Sequence, residues 1–483
     1  MNPALEKMHF LFHPRSVAVI GATDRFGTWG FGVINRMLRG GDFNVYPVNP
    51  KGGDILGVKA FPKVTDVPGE VDLAVIVVPP QHVPTVMADC AAKGVKAAVI
   101  ITAGFREVGE EGALLETEVV RIARQAGIRF VGPNGNGHFH AQAGLFSMGG
   151  PRIQAGPISL VSQSGNFGGH IVSRGSEKGI GFSKYVSSGN EADLTIEDYV
   201  EYLGRDEATQ VICAYIEGLK DGRRFLEVAR EVTRRKPIVL MKVGRTPEGA
   251  SAAMSHTGSL SGSDQVNKAA LKQAGVIRVG RVDEMLDVAS ALIRQPLPRG
   301  RRVGIVTGGG GFGVVAADAC RGLGLEVPPL KEETIDRLSR YMPERWSHAN
   351  PVDMAGDSSK SLGCCGTMLK ADEVDAVLAV SCLGYIPTPP EDCPPAIREK
   401  IAAYDRQMLE GEKAAMAGLL ERIDRWGKPF IIAAVANVKQ SQAMAELARN
   451  GIYTYASPED GARVLAYLAD YSDYLASSPS RAA

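Results

Sequence analysis

The stretch 250–262, Ala-Ser-Ala-Ala-Met-Ser-His-Thr-Gly-Ser-Leu-Ser-Gly, sets one histidine, His256, among small and hydroxyl side chains. With almost no bulky apolar group to anchor it in a core, such a loop can move. An imidazole on it can serve as a nucleophile or carry a transferred group. A second candidate is Glu217, which follows the apolar run 210–216. A carboxylate there could accept a hydrogen bond from an imidazole and hold its tautomer, as a phosphate-accepting histidine requires. A third is the run Ser162, Gln163, Ser164, Gly165 and Asn166 at a helix start, where free N–H groups and the helix dipole favour an anion. Each has a plainer counterpart: a surface histidine, a solvated turn carboxylate, an N-cap serine.

These residues need a scaffold, and the apolar runs supply one. Runs of strand length at 16–20, 44–48, 73–78, 97–102 and 129–131 alternate with helix patterns at 31–38, 83–93 and 112–126. That rhythm predicts a doubly wound parallel sheet with its ligand crevice at the carboxyl ends of the strands. The turn after the first strand holds Gly21, Gly27 and Gly30, which do not fit GxGxxG spacing, and no acid ends the second strand. Lys51 stands there instead, and a cation favours a phosphate over a free ribose diol. The first domain therefore reads as a binder of a phosphorylated nucleotide, and an NAD(P)-dependent oxidoreductase is disfavoured.

A second βα series follows, with strands at 158–161, 183–187, 210–216 and 238–243 and a helix at 263–274. A third has strands at 303–307, 376–381, 429–434 and near 453, a glycine turn at 308–313, and its longest helix at 413–426. The fold class is α/β in three consecutive domains. A Rossmann-like domain spans 1–145, flavodoxin-like open parallel sheets span 151–295 and 300–472, and a small polar tail, 473–483, is expected to be disordered.

Lys+Arg and Asp+Glu both number 54, so no global basic field argues for nucleic acid or an anionic membrane surface. No run of about 20 apolar residues suggests a membrane span, and the start lacks the apolar stretch of a secretory signal. Seven cysteines with no CxxC pair suit a reducing cytoplasm and argue against a disulfide frame or a structural metal site in this chain.

Taken together, the segments resemble the α subunit of the NDP-forming acyl-CoA synthetases, the superfamily that includes succinyl-CoA synthetase. The resemblance runs from about residue 10 to 470, in the family's order. It rests on His-Pro-Arg-Ser-Val-Ala-Val-Ile-Gly-Ala at 13–22, Val-Asn-Pro-Lys at 48–51, Ala-Gly-Phe-Arg-Glu at 103–107 and Gly-Pro-Asn at 132–134. It continues with Ser-Gln-Ser-Gly at 162–165, Gly-Asn-Glu-Ala-Asp at 189–193, Ser-His-Thr-Gly at 255–258 and Asn-Pro-Val-Asp at 350–353. The resemblance implies CoA contacts at Gly21, Ala22, Thr23, Gly27, Lys51, Val78, Pro79 and Asn134. It implies that His256 is phosphorylated during turnover, with Glu217 beside it, and that Ser162 to Asn166 and Gly258 hold the phosphate or acyl-phosphate. It also implies a small carboxylic acid as substrate. The ATP-grasp part of these enzymes has no counterpart in this chain. A separate β subunit, forming a hetero-oligomer and holding ATP or ADP with Mg²⁺, is therefore expected. One departure stands out: Gly135 follows Asn134 where the family commonly has cysteine. The competing reading is a non-enzymatic CoA or acyl-CoA sensor, which would have no use for a phosphate carrier at His256.

Overall fold

Along the strand Ser16–Ile20, Val17 and Val19 enter one hydrophobic core while Ala18 and Ile20 enter another. A strand buried on both faces is what an apolar run without polar alternation builds. In the computed structural model, which describes residues 3–148, 153–249, 251, 263–384, 386–387, 389–434 and 441–477, the chain forms two compact units, Met1–Met285 and Leu286–Ala483.

The first unit holds two sheets. In one, five parallel strands run in the order Asn44–Val48, Ser16–Ile20, Leu73–Ile76, Ala97–Ile100 and Arg129–Val131. In the other, the order is Ile277–Arg278, Ile238–Lys242, Val211–Ile216, Ala155–Ser162, Phe182–Ser187, His138–His140 and Leu145–Phe146. Its last two strands are antiparallel to their neighbours. A single core joins one face of each sheet, and the helix Pro3–Phe12 contributes Leu5, Met8, Leu11 and Phe12 to it. In the second unit five parallel strands run in the order Val352–Asp353, Val303–Thr307, Ala376–Val380, Phe430–Ala433 and Thr454–Tyr455. Among the described residues no helix is long and apolar enough to cross a membrane.

The first two expected domains each keep their own sheet and share one core within the first unit. Several element bounds differ from expectation. Residues 138–140 and 145, expected in the first domain, fall in the edge strands His138–His140 and Leu145–Phe146 of the second sheet. The helix Val282–Arg294 straddles the unit boundary, so 286–294 belong with the following sheet. The last helix is Pro458–Ser477, so 473–477 are helical rather than tail, and Tyr471 stays buried near its end. The long helix is Arg398–Trp426, starting well before 413. Gly411 reads as a breaker but costs only about 1 kcal/mol, which a helix of this length absorbs. His256 and Gly258 lie outside the described residues.

Candidate functional site

In an open parallel sheet a ligand crevice forms where strand order reverses, because consecutive helices there diverge to opposite faces. In the first sheet that point lies between Ser16–Ile20 and Leu73–Ile76. Gly21 leaves the first of these with φ +96, and a Cβ on it would sit 2.9 Å from the Val77 carbonyl oxygen. Only glycine lets the two strand ends approach this closely. In the second sheet the reversal lies between Ala155–Ser162 and Val211–Ile216, whose ends are followed by Gln163 and Glu217. Gln163 ties them together. Its Oε1 accepts from the Glu217 and Gly218 backbone N–H groups at 2.6 and 3.1 Å, and its Nε2 donates to the Gly218 carbonyl at 2.8 Å.

Both reversal points open on one cavity of about 590 Å³. The first sheet contributes Val77, Val78, Pro79, Thr102 and Asn134; the second contributes Gln163, Ser164, Gly165, Asn166, Glu191 and Lys220. Across the ridge of Val77, Val78 and Pro79 lies a second cavity of about 540 Å³ that includes Gly21, Asn49 and Lys63. An elongated ligand could lie over the ridge with an end in each. The helix Gly165–Glu177 starts at the first cavity, with Ser164 as N-cap accepting from Phe167 N–H at 3.4 Å. The N–H groups of Gly165 and Asn166, which precede the first intrahelical bond, are donors that an anion can accept from.

The polarity of one wall is fixed by a relay of amides. Asn190 Nδ2 donates to Glu107 Oε2 at 2.6 Å and Glu116 Oε2 at 2.9 Å. Ionised carboxylates only accept, so the Asn190 carbonyl oxygen must turn the other way, where it accepts from Asn134 Nδ2 at 3.2 Å. Asn134 therefore has its carbonyl oxygen left for another donor. Burial works against the Glu107 charge, but hydrogen bonds from Asn190 and from the Gly104 and Phe105 N–H groups outweigh it and hold its pKa below the ordinary value.

Of the residues expected at the site, Gln163, Ser164, Gly165, Asn166, Val78, Pro79 and Asn134 line the first cavity and Gly21 the second. Ser162 does not line the first: its hydroxyl is buried and donates to the Ser164 carbonyl at 2.6 Å, shaping the turn. Glu217 is buried beside the cavity, its carbonyl oxygen accepting from the Lys242 ammonium at 2.6 Å. Lys51 is exposed and lines neither cavity, while Lys63 lines the second. Ala22 is buried, with its carbonyl accepting from Asn49 Nδ2; the Thr23 hydroxyl accepts from Arg25 N–H within the turn. Gly27 sits further out, near Trp29. A Cβ on Gly135 would lie 2.7 Å from the Ser187 carbonyl oxygen, so the family's cysteine would not fit unless that strand end shifted.

Sequence reasoning missed Trp29, Asn136, Asn190, Glu191 and Lys220 on the cavity wall. Asn190 and Glu191 stood within a motif already noted, but only the structure brings them to Asn134 and Gln163. Among the described residues no cluster of His, Cys, Asp or Glu could hold a metal, and all seven cysteines are buried and outside any disulfide.

Comparison with known proteins agrees with this geometry. Residues 15–141 match the model of a CoA binding domain, and residues 155–292 that of the succinyl-CoA ligase like flavodoxin domain. The chain is similar to the α subunit of acetate–CoA ligase [ADP-forming] II of Pyrococcus furiosus, at 40% identity over 94% of this chain and 95% of that one. It is 38% identical to the acetate–CoA ligase [ADP-forming] of Methanocaldococcus jannaschii, with 96% of this chain aligned to 63% of that longer protein. Among solved structures it is similar to the dinucleotide-forming acetyl-coenzyme A synthetase 1 of Ca. Korarchaeum cryptofilum, solved with phosphate and ADP. That match has 33% identity, covers 97% of both chains and has a TM-score of 0.85. Strand order, paired reversal points and near full-length similarity lead to one conclusion: the chain belongs to the family of α subunits of ADP-forming acid–CoA ligases.

Proposed function

We propose that this chain binds CoA along the carboxyl edge of its first sheet, forms the acyl-phosphate in the 590 Å³ cavity, and passes the phosphoryl group onward through His256. In the ATP-forming direction, phosphate attacks the acyl carbon of acyl-CoA and CoA departs as its thiol. The acyl-phosphate then gives its phosphoryl group to His256, releasing the carboxylate, and phosphohistidine gives it to ADP. The observation that carries this reading is the shared cavity: the ridge of Val77 to Pro79 and the helix N-terminus at Gly165 and Asn166 face the same space. A thioester carbonyl reaching over the ridge would meet a phosphate held by unsatisfied N–H groups. The Glu217 backbone is fixed by Gln163, and in this reading its carboxylate receives the imidazole of His256.

The relatives' names supply acetate as the first acid to test. The nucleotide step belongs to a partner of ATP-grasp type carrying Mg²⁺. In the Methanocaldococcus relative a further third of the polypeptide lies beyond the aligned part, room for such a module in the same chain. A hetero-oligomer in the cytoplasm, where ATP, CoA and reduced thiols coexist, follows from this reading.

The test is phosphorylation of the purified chain with its partner, ATP and Mg²⁺, comparing wild type with His256→Ala. An acid-labile, base-stable phosphate on the wild type alone is the expected result, with acyl-CoA synthesis lost in the variant. Label that persists in His256→Ala would refute the carrier role. CoA binding without any label would leave a sensor.

A further inference from the structure

Three polar atoms behind the cavity wall are shut off from solvent and make no hydrogen bond among the described residues: Glu191 Oε2, Glu197 Oε1 and Tyr199 Oη. Glu191 lines the cavity, yet it is only 2% exposed. Its backbone sits at φ +53, a left-handed conformation that residues other than glycine adopt only where the surroundings hold them. Lys220 does the holding. Its ammonium donates to the carbonyl oxygens of Asn190 and Glu191 at 2.8 and 2.5 Å. The cation thus pins the backbone, and the Ser188 hydroxyl donates to Oε1 of the carboxyl at 2.7 Å while Oε2 has no partner among the described residues.

The groups facing this carboxyl come from three directions. Glu197 and Tyr199 approach from the helix Ile196–Arg205, Lys220 from beyond the strand Val211–Ile216, and the Gln163 amide from the end of Ala155–Ser162. Burial is the strongest influence and disfavours the charge. Ser188 opposes it, Glu197 adds to it, and Lys220 and Gln163 oppose it again; the balance raises the carboxyl to about 7. A thiol at about 8.5 is near enough for proton transfer in both directions.

Resting on the reading of this cavity as the acyl-transfer site, we infer that Glu191 is the acid–base residue for the sulfur of CoA. In acyl-CoA synthesis the Glu191 carboxylate takes the thiol proton while sulfur bonds to the acyl carbon. The carbon–oxygen bond to phosphate breaks, its electron pair leaves on phosphate, and the proton departs with that phosphate. In the reverse direction the protonated carboxyl supplies the proton to the leaving sulfur.

The experiment uses the chain assembled with its partner and compares wild type, Glu191→Gln and Glu191→Asp in two assays. One follows ATP-dependent labelling of the chain; the other follows acyl-CoA formation from acetyl phosphate and CoA across pH. Glu191→Gln should label within about twofold of wild type but transfer to CoA at least about a hundredfold more slowly, the scale of a lost acid–base group. Its transfer rate should also lose the inflection near 7 that is expected of wild type. Glu191→Asp should recover part of the rate and an inflection. Unchanged transfer in Glu191→Gln overturns the inference, and so does equal loss of labelling and transfer, which marks a structural role. Failure of the wild type to make acyl-CoA overturns the reading of the site itself, and with it this inference. An infrared band of a protonated carboxyl, present near neutral pH in wild type and absent in Glu191→Gln, checks the proton's location without turnover.

Discussion

Glu191 burdens the fold as well as serving the site. Its pKa rises from an ordinary 4.5 to about 7, so between those values the folded chain holds a proton that the unfolded chain has released. Stability is then greatest below the unfolded value and falls as pH rises through about 7. At 1.36 kcal/mol per unit, the loss by pH 8 is up to about 3 kcal/mol. Glu191→Gln should therefore melt higher than wild type at pH 8 and about equally at pH 4.5, read by thermal denaturation at both. A variant melting lower than wild type at pH 8 would show that the carboxylate is better stabilised than its burial implies. A residue whose removal helps the fold and harms the reaction is expected at a working site.

At the scale of elements, the N-terminal helix is tied to the second sheet by histidines. His138 and His140, two apart on one strand and so on one face, meet the Leu11 and Phe12 carbonyls at the helix end at 2.7 and 3.0 Å. Those carbonyls have no partner within a helix. His138 is buried with Ser147 on its other nitrogen; burial lowers it to about 4, with His140 adding and the Leu11 carbonyl opposing. His13, stacked on His9 and edge-on to His140, is lowered to about 4 as well, chiefly by burial, then by His140, His9 and Lys184. Both are depressed in the folded state, so their contribution is full above 6.5 and is lost as pH falls toward 4. The melting temperature should drop steeply across that window, and His138→Gln should flatten the drop. An unchanged slope in the variant would remove His138 from the account. Little of this was legible in the sequence. His-Phe-His is too short and too polar to announce a strand, and its partners lie more than 120 residues away. The central strands were legible because sheets covered on both faces demand continuous apolar runs.

At the scale of the molecule, the two reversal points that form the cavity belong to one compact unit, Met1–Met285. The α subunit should therefore register CoA there. Saturating CoA at a hundredfold over Kd should stabilise that unit by about 2.7 kcal/mol. Slowed hydrogen exchange should concentrate at 20–23, 77–79, 102–104 and 163–166, with 303–313 unchanged. Protection confined to 303–313 would move the CoA site to the other unit. The class of ligand and the helix start at Gly165 could be read from residue types and order, because βα turns are local. The pairing of Gln163 with Glu217, of Asn190 with Asn134, and the presence of Lys63 on the second cavity wall could not, since each depends on which chain segments become neighbours.

The cavity wall also contains Asn134, Gly135 and Asn136, and each asparagine is followed by glycine in the sequence. Asparagine before glycine is the dipeptide most open to deamidation, through attack of the following backbone nitrogen on the side-chain amide. Here Asn134 is held by Asn190 at 3.2 Å and Asn136 reaches the Gly165 carbonyl at 3.4 Å, so folding itself protects both amides. Each episode of unfolding exposes them, and conversion to aspartate is not undone on refolding. Ageing would thus write negative charge into the wall proposed to receive phosphate, and the working lifetime of this subunit becomes a chemical record of how often it has unfolded.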